Sequence, residues 1–452
     1  MPIQVEHERC CGIDVHKNSV TACVLLYEGS PQPQIRRKEF ATHSKALETL
    51  DSWLKALKVT HVAMESTGVY WKPVWYALES HFQLLLFNPY QVKNMPGKKT
   101  DKRDSQWLAE LLAHGLVQGS FVPPAETRAL RDLTRYRVKL MEQMNRIHNR
   151  IHKALEDACI KLDTVASNIL GVSGRKMIKA IINGEEQPSR LADHAQGKLR
   201  EKLPALRLAL RGHVSEHHRF LLRELMEDLE FVESKILRLD QAIVQRVDMN
   251  PVVRLCTIPG VDVITAWTLL AEIGSDMRVF PTAKDAASWA GLCPGNNESA
   301  GKRLSNRTRK GNRWLRRALC QSAWGASRKK NCFLAAFFQR HKAKGGAKKA
   351  IIATAHRLLV IAYCMLRDGT EYRELGGDYY DKQQPQKVRN RLLARLRRLD
   401  PHLVLPPTPA AVSPLAASPD SPPTPSAPAI VRKKRGRPCK CAERLIPCKH
   451  ST

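Results

Sequence analysis

Acidic residues are in short supply in this chain: 43 aspartates and glutamates stand against 74 lysines and arginines among 452 residues, a formal charge of +31. A surplus that large repels itself unless an anionic partner offsets it, so nucleic acid is the expected partner, with a merely solubilising surface as the blander alternative. Long apolar runs are lacking too. The longest, "LLVIAYCML" at 358 to 366, is about half a membrane span, and "MPIQVEHERC" lacks the charged-then-apolar pattern of a signal peptide. Both absences predict a cytoplasmic protein with no membrane partner. The twelve cysteines form no dense framework but lie scattered through apolar segments, which fits reduced, buried thiols rather than disulfides.

The length exceeds one ordinary core and implies two or three domains. From residue 10, "CCGIDVHKNSVTACVLL" reads as two β-strands around a polar turn at His16, Lys17 and Asn18, and "QIRRKEFAT" as a third. After a helix near 45 to 57, "THVAMESTG" is a short strand ending at Glu65, and "FQLLLFNP" is another strand stopped by Pro89. Strands alternating with helices predict an α/β layer fold over 1–124. Within 125–250, Leu133, Leu140, Ile147 and Ala154 repeat every seven residues, interleaved with Arg137, Met144 and Ile151. A second seam runs through Leu222, Leu225, Leu229, Val232, Ile236, Leu239 and Ile243, so a coiled coil within or between chains, or a monomeric bundle, is expected there. Residues 251–400 read as helical and basic. A Pro/Ser/Ala linker at 401–431 cannot pack a core, and 432–452 form a basic tail.

Against this basic background, "GKKTDKRDSQWLAELL" keeps Asp101 and Asp104 three apart at a helix start, with Thr100 as a candidate N-cap. The helix dipole alone would favour acids there. Taken with Asp14 on the first strand and Glu65 ending a later one, the four carboxylates are candidates to converge on Mg²⁺, while Lys98, Lys99, Lys102 and Arg103 would hold phosphates beside them. Sugar-kinase and actin-like ATPases share the opening "GID" strand. They follow it with a glycine-rich phosphate turn, which is missing here.

Further on, Pro259-Gly260-Val261-Asp262 joins two apolar helical stretches as a helix-hairpin-helix, although Asp262 argues against a phosphate contact at that turn. Lys302, Arg303, Arg307, Arg309, Lys310 and Arg313 then form an acid-free basic patch, preceded by Ser299 in a small-residue turn. A turn serine is ordinarily a local hydrogen-bonder, and chemistry alone does not promote it.

Together, "GIDVHKNSV", "MESTGVYWKPV", "NPYQVKNMPGKKTDKRDS", "IPGVDVITA" and "ESAGKRLSNRTRKGNRWLRRAL" resemble the insertion-sequence transposases with a DEDD motif, the family that includes the Piv-like DNA invertases. The resemblance spans most of residues 10 to 370. It implies a RuvC-like, RNase H-type α/β domain, an α-helical coiled-coil segment and a mainly α-helical transposase domain. It further implies a bacterial, nucleoid-associated recombinase, often guided by a structured RNA encoded beside its gene. Asp14, Glu65, Asp101 and Asp104 would bind Mg²⁺, and Ser299 would be the nucleophile of a covalent DNA–serine intermediate. Acids and serine would come from different subunits of a homo-oligomer, a dimer or tetramer. Two departures stand out: Ala300 replaces the first glycine after the serine, and Asp262 stands where glycine is common. Ser305 is a rival nucleophile.

In the tail, Arg435 and Arg437 flank Gly436 in a segment similar to the A·T minor-groove hook, against plain backbone attraction as the alternative. Cys439, Cys441, Cys448 and His450 are possible zinc ligands at unusual spacing. Two other functions fit part of the sequence. In a metal-dependent junction endonuclease the same acids would activate water; a non-enzymatic nucleic-acid binder would not need them.

Overall fold

The computed structural model describes residues 5–66, 68–89, 104–295, 297–299, 302–305 and 307–400, with the backbone alone at 297–299 and 302–304. The chain divides into two compact units, Met1–Pro124 and Ala125–Thr452.

The first unit is built on strands β1 (Arg9–Val15), β2 (Ser19–Leu26), β3 (Gln34–Ala41), β4 (His61–Glu65) and β5 (Gln83–Phe87), ordered β3-β2-β1-β4-β5. Strands β1 to β3 pair antiparallel, whereas β4 and β5 run parallel to β1, the order and polarity of an RNase H-type sheet. Strand β1 is central and buried on both faces, which explains its nearly continuous apolar sequence. The edge strand β3 carries Arg36, Arg37, Lys38 and Glu39 exposed, charges that discourage pairing with a second sheet. Helices α1 (Ser44–Ala56) and α2 (Trp71–Leu78) cover one face with Leu47, Leu50, Leu54, Val74 and Leu78. Helix α3 (Asp104–Ala113) covers the other with Leu108, Ala109 and Leu112, against Cys10, Cys23 and Ala63.

The second unit opens with two long helices, α4 (Ala125–Asp157) and α8 (Glu216–Val244), and between them the short helices α5 (Val172–Ile182), α6 (Pro188–Asp193) and α7 (Leu203–Ala209). Arg137 pairs with Asp240 near one end and Asp157 with His218 near the other, so α4 and α8 run antiparallel within one chain. Leu140, Ile147, Ile151 and Ala154 share one core with Leu222, Leu225, Leu229, Val232 and Ile236, so most of both heptad seams is used in this contact. Leu133, at the start of the predicted seam, is only half-buried. That stretch of α4 turns instead toward the helices that follow.

Helices α9 (Met249–Cys256) and α10 (Val263–Ile273) form the hairpin read from the sequence. Its turn needs glycine: Gly260 has φ +84°, and a Cβ there would lie 2.4 Å from the Ser322 carbonyl oxygen. Asp262 is the N-cap of α10, accepting from the Thr265 N–H at 2.8 Å, so the acid has a structural task. Helix α11 (Ala283–Trp289), strands β6 (Asn297–Ser299) and β7 (Lys302–Ser305), and helices α12 (Arg313–Arg328), α13 (Phe333–Asp368), α14 (Tyr379–Gln383) and α15 (Pro385–Leu399) follow. Helix α13 is long and apolar enough to cross a membrane by length and composition, yet half of its most apolar window is buried in this unit, where Leu358, Leu359 and Tyr363 are core residues.

Candidate active site

Alternation along β1 decides where its acid points. Cys10, Gly12 and Asp14 share one face, and α3 lies on that face. The Cys10 thiol donates to the Ala109 carbonyl, and a Cβ on Gly12 would fall 2.1 Å from the Ser105 oxygen and 2.4 Å from the Ala109 nitrogen. Stepping up the strand from Cys10 to Gly12 steps back along the helix toward its start, so Asp14 approaches the first turn of α3, where Asp104 stands. Strand β4 runs parallel to β1 with Ile13 opposite Met64, which sets Glu65 alongside Asp14 at the same end of the sheet. Register and helix placement therefore put three acids from three elements toward the same end of the sheet. The Nε2 of His16, in the turn after β1, lies 3.1 Å from Oδ2 of Asp14. Below the acids the strand is dry: burial pushes the Cys10 thiol up to about 12 and raises that of Cys11 as well. Asp101, Thr100, Lys98, Lys99, Lys102 and Arg103 lie outside the described residues.

Ser299 lies in the second unit, on an excursion that leaves the helical core after α11 and returns at α12. The sequence led us to expect helix and turn here, but a two-stranded hairpin is present, with Ser299 opposite Lys302 at its tip and Asn297 opposite Ser305 farther down. Strands of three and four residues, with Leu304 their one apolar member, give no apolar alternation, so the ladder left no signature. Below the hairpin, Pro294 bridges Thr308 and the Gly295 N–H donates to Arg307. At the root, Gly311 passes so close to Gly291 that a Cβ on it would lie 2.3 Å from the Gly291 nitrogen. The Oγ of Ser305 accepts from the Arg307 N–H at 3.2 Å, a local turn contact.

Of the predicted basic patch, Arg307, Arg309, Lys310 and Arg313 are exposed on the returning arm. Lys302 and Arg303 belong to β7, and Arg435 and Arg437, like Cys439, Cys441, Cys448 and His450, lie outside the described residues. The structure adds two groups that the sequence reading missed. His152, Glu156 and Asp163 cluster at the end of α4 with metal-ligand types, but His152 already pairs with Asp163 and Glu156 with Lys161. The second is Glu272 on α10, fully buried and bound by Arg131, Arg135 and Asn312. Its signal was available: a lone acid inside the apolar run "AWTLLAEIG" must be paired to be buried.

The sequence was compared with models of known protein families. Residues 11–160 match a DEDD transposase model of the IS110 type, and residues 252–338 match the transposase model of the IS116/IS110/IS902 family. The chain belongs to the IS110 family of transposases. Among individual relatives, a probable family 20 transposase of Pseudomonas aeruginosa is 26% identical over 266 residues, covering 58% of this chain and 70% of that protein. The transposase y4pF/y4sB of Sinorhizobium fredii is 28% identical over 332 residues, covering 70% and 76%. A 43.6 kDa protein of the insertion element IS110 from Streptomyces coelicolor is 36% identical over 140 residues, 29% and 32% of the two chains. The solved structure of Thermus thermophilus RuvC aligns with 25% of this chain and 99% of its own at 14% identity and a TM-score of 0.20. As an IS110 transposase, the protein is a DNA-cleaving and rejoining enzyme.

Proposed function

We propose that this transposase cleaves and rejoins DNA through a covalent Ser299 intermediate, that Asp14, Glu65, Asp101 and Asp104 hold Mg²⁺, and that a structured RNA from its own element guides a dimeric or tetrameric assembly. The observation that supports the reading is the placement of Asp14, Glu65 and Asp104 toward the same end of the sheet, from strand register and the packing of α3 on Gly12. An all-carboxylate set from β1, β4 and α3 suits a hard divalent cation. When bound, such an ion neutralises charge on phosphoryl oxygens.

The remaining chemistry belongs to this chain's residues. The Ser299 oxygen forms a bond to phosphorus while the bond from phosphorus to a deoxyribose oxygen breaks, and the serine proton goes to that leaving oxygen. The phosphodiester survives as a serine–DNA ester. Attack by a sugar hydroxyl reverses the step and restores Ser299, so no ATP is consumed. Arg307, Arg309, Lys310 and Arg313, exposed beside the hairpin, hold the DNA backbone. Support for a second polyanion comes from α15, which carries Lys387, Arg389, Arg391, Arg395, Arg397 and Arg398 without an acid and buries none of its side chains. This reading places the enzyme in the bacterial cytoplasm, where its DNA lies.

The test uses cells carrying the complete element on a plasmid. Excision should vanish in Asp14→Asn and Ser299→Ala alike. Wild-type cutting by Ser299→Ala would favour the endonuclease alternative, and full activity in Asp14→Asn would reduce the acids to helix and strand ends. One discrete RNA species should copurify with the protein.

A further inference from the structure

The two arms of the Ser299 excursion return to one buried carboxylate. Glu272 closes the last turn of α10 with its side chain at 0% exposure. Arg135 grips it with both nitrogens, Nε to Oε1 at 2.7 Å and Nη2 to Oε2 at 2.8 Å, and Arg131 Nε lies 3.2 Å from Oε2. Arg131 also donates to the Ala271 and Glu272 carbonyls at 3.1 and 2.6 Å, satisfying the end of α10. The fourth member is Asn312. Its Nδ2 donates to Oε2 at 2.5 Å, while its Oδ1 accepts from the N–H groups of Trp314 and Leu315 and so caps α12.

These contacts hold the excursion at both ends. The outgoing arm leaves at Trp289, over whose ring the Arg131 guanidinium sits at 5.8 Å. The returning arm arrives at Asn312, whose N–H donates to the Trp289 carbonyl at 3.1 Å. Just beyond, Trp314 receives Arg135 and Lys139 at 5.8 and 5.6 Å. Between these fixed ends run residues 290–311, which carry the hairpin. A buried ion cluster is a poor source of stability compared with apolar packing, but it fixes direction, because a desolvated carboxylate tolerates no drift of its donors.

We propose that Glu272, with Arg131, Arg135 and Asn312, is a positioning cluster that sets the aim of the Ser299 hairpin. The inference rests on Ser299 being the nucleophile. It assigns Glu272 no contact with DNA; the carboxylate acts through the stem of the excursion.

Asn312→Ser separates positioning from folding, since serine keeps the cap on α12 but loses the donor to Glu272. The full chain, expressed with its complete element, is captured under denaturing conditions and the covalently attached DNA is counted. Asn312→Ser and Glu272→Gln should each lower adduct yield about ten-fold or more, the scale of a small misplacement of reacting groups. The double variant should fall little further. Unfolding temperature and retention of a random-sequence duplex should stay near wild type in Asn312→Ser. Wild-type adduct yield in Asn312→Ser would overturn the proposal, and so would a loss that merely tracks the unfolding temperature. Ser299→Ala is the separate control: adduct in that variant defeats the nucleophile assignment, whatever the cluster variants do.

Discussion

A single hydrogen on Gly12 decides how closely α3 can lie on β1. Any side chain there would strike the Ser105 oxygen and Ala109 nitrogen, both backbone, so α3 would have to lift from the sheet. Gly12→Ala should therefore destabilise the first unit by roughly 1–3 kcal/mol, read as a lowered melting temperature, and abolish excision. The acids themselves were legible, because Asp14 and Glu65 interrupt or end apolar strands and Asp104 begins a helical pattern. The glycine that lets them approach was not, since a close helix–strand contact leaves no periodic trace. Thiol chemistry offers a check at the same scale. Burial raises the Cys10 and Cys11 thiols, so both stay protonated at pH 8, whereas Cys159 is exposed. Among the cysteines of the described residues, alkylation of the native protein followed by peptide mass spectrometry should label Cys159 first and leave Cys10 and Cys11 intact until unfolding.

Among the elements, the long helices show how far a heptad pattern reaches. Both seams were visible, yet the spacing alone left open whether their partner lay in the same chain, and the ion pairs Arg137–Asp240 and Asp157–His218 answer that. Leu229 on α8 is fully buried in this contact, while Phe231 two residues on is 55% exposed. Leu229→Ala should cost about 2–5 kcal/mol in chemical denaturation. Phe231→Ala should change stability little, and a large loss there would mean that a second copy covers this face. The β6–β7 hairpin escaped the reading for the opposite reason. Strands of three and four residues, rich in charge, belong to an excursion whose form is set at its root by Gly291, Gly311 and the Glu272 cluster rather than by local propensity.

For the whole molecule, composition spoke first: a surplus of +31 pointed to nucleic acid, and the chain is a DNA-acting transposase. Duplex retention should fall linearly on a log–log plot against salt, each phosphate contact contributing about −0.9 to the slope, and a nearly flat plot would remove electrostatics from the account. Composition was silent on chemistry, which in the proposed mechanism falls to a few acids of the first unit and a serine of the second. One experiment reaches that chemistry directly. Denatured adduct from cells carrying the element is digested with nuclease and trypsin, and nucleotide-bearing peptides are sequenced by mass spectrometry. Cleavage after Lys284 and Lys302 leaves Ser299 on one peptide and Ser305 on another, and fragmentation separates Ser299 from Ser288. A nucleotide remnant on Ser299, lost together with the adduct in Asp14→Asn, is the expected finding. A remnant on Ser305, or cut DNA ends with no protein attached, would refute the serine mechanism proposed here.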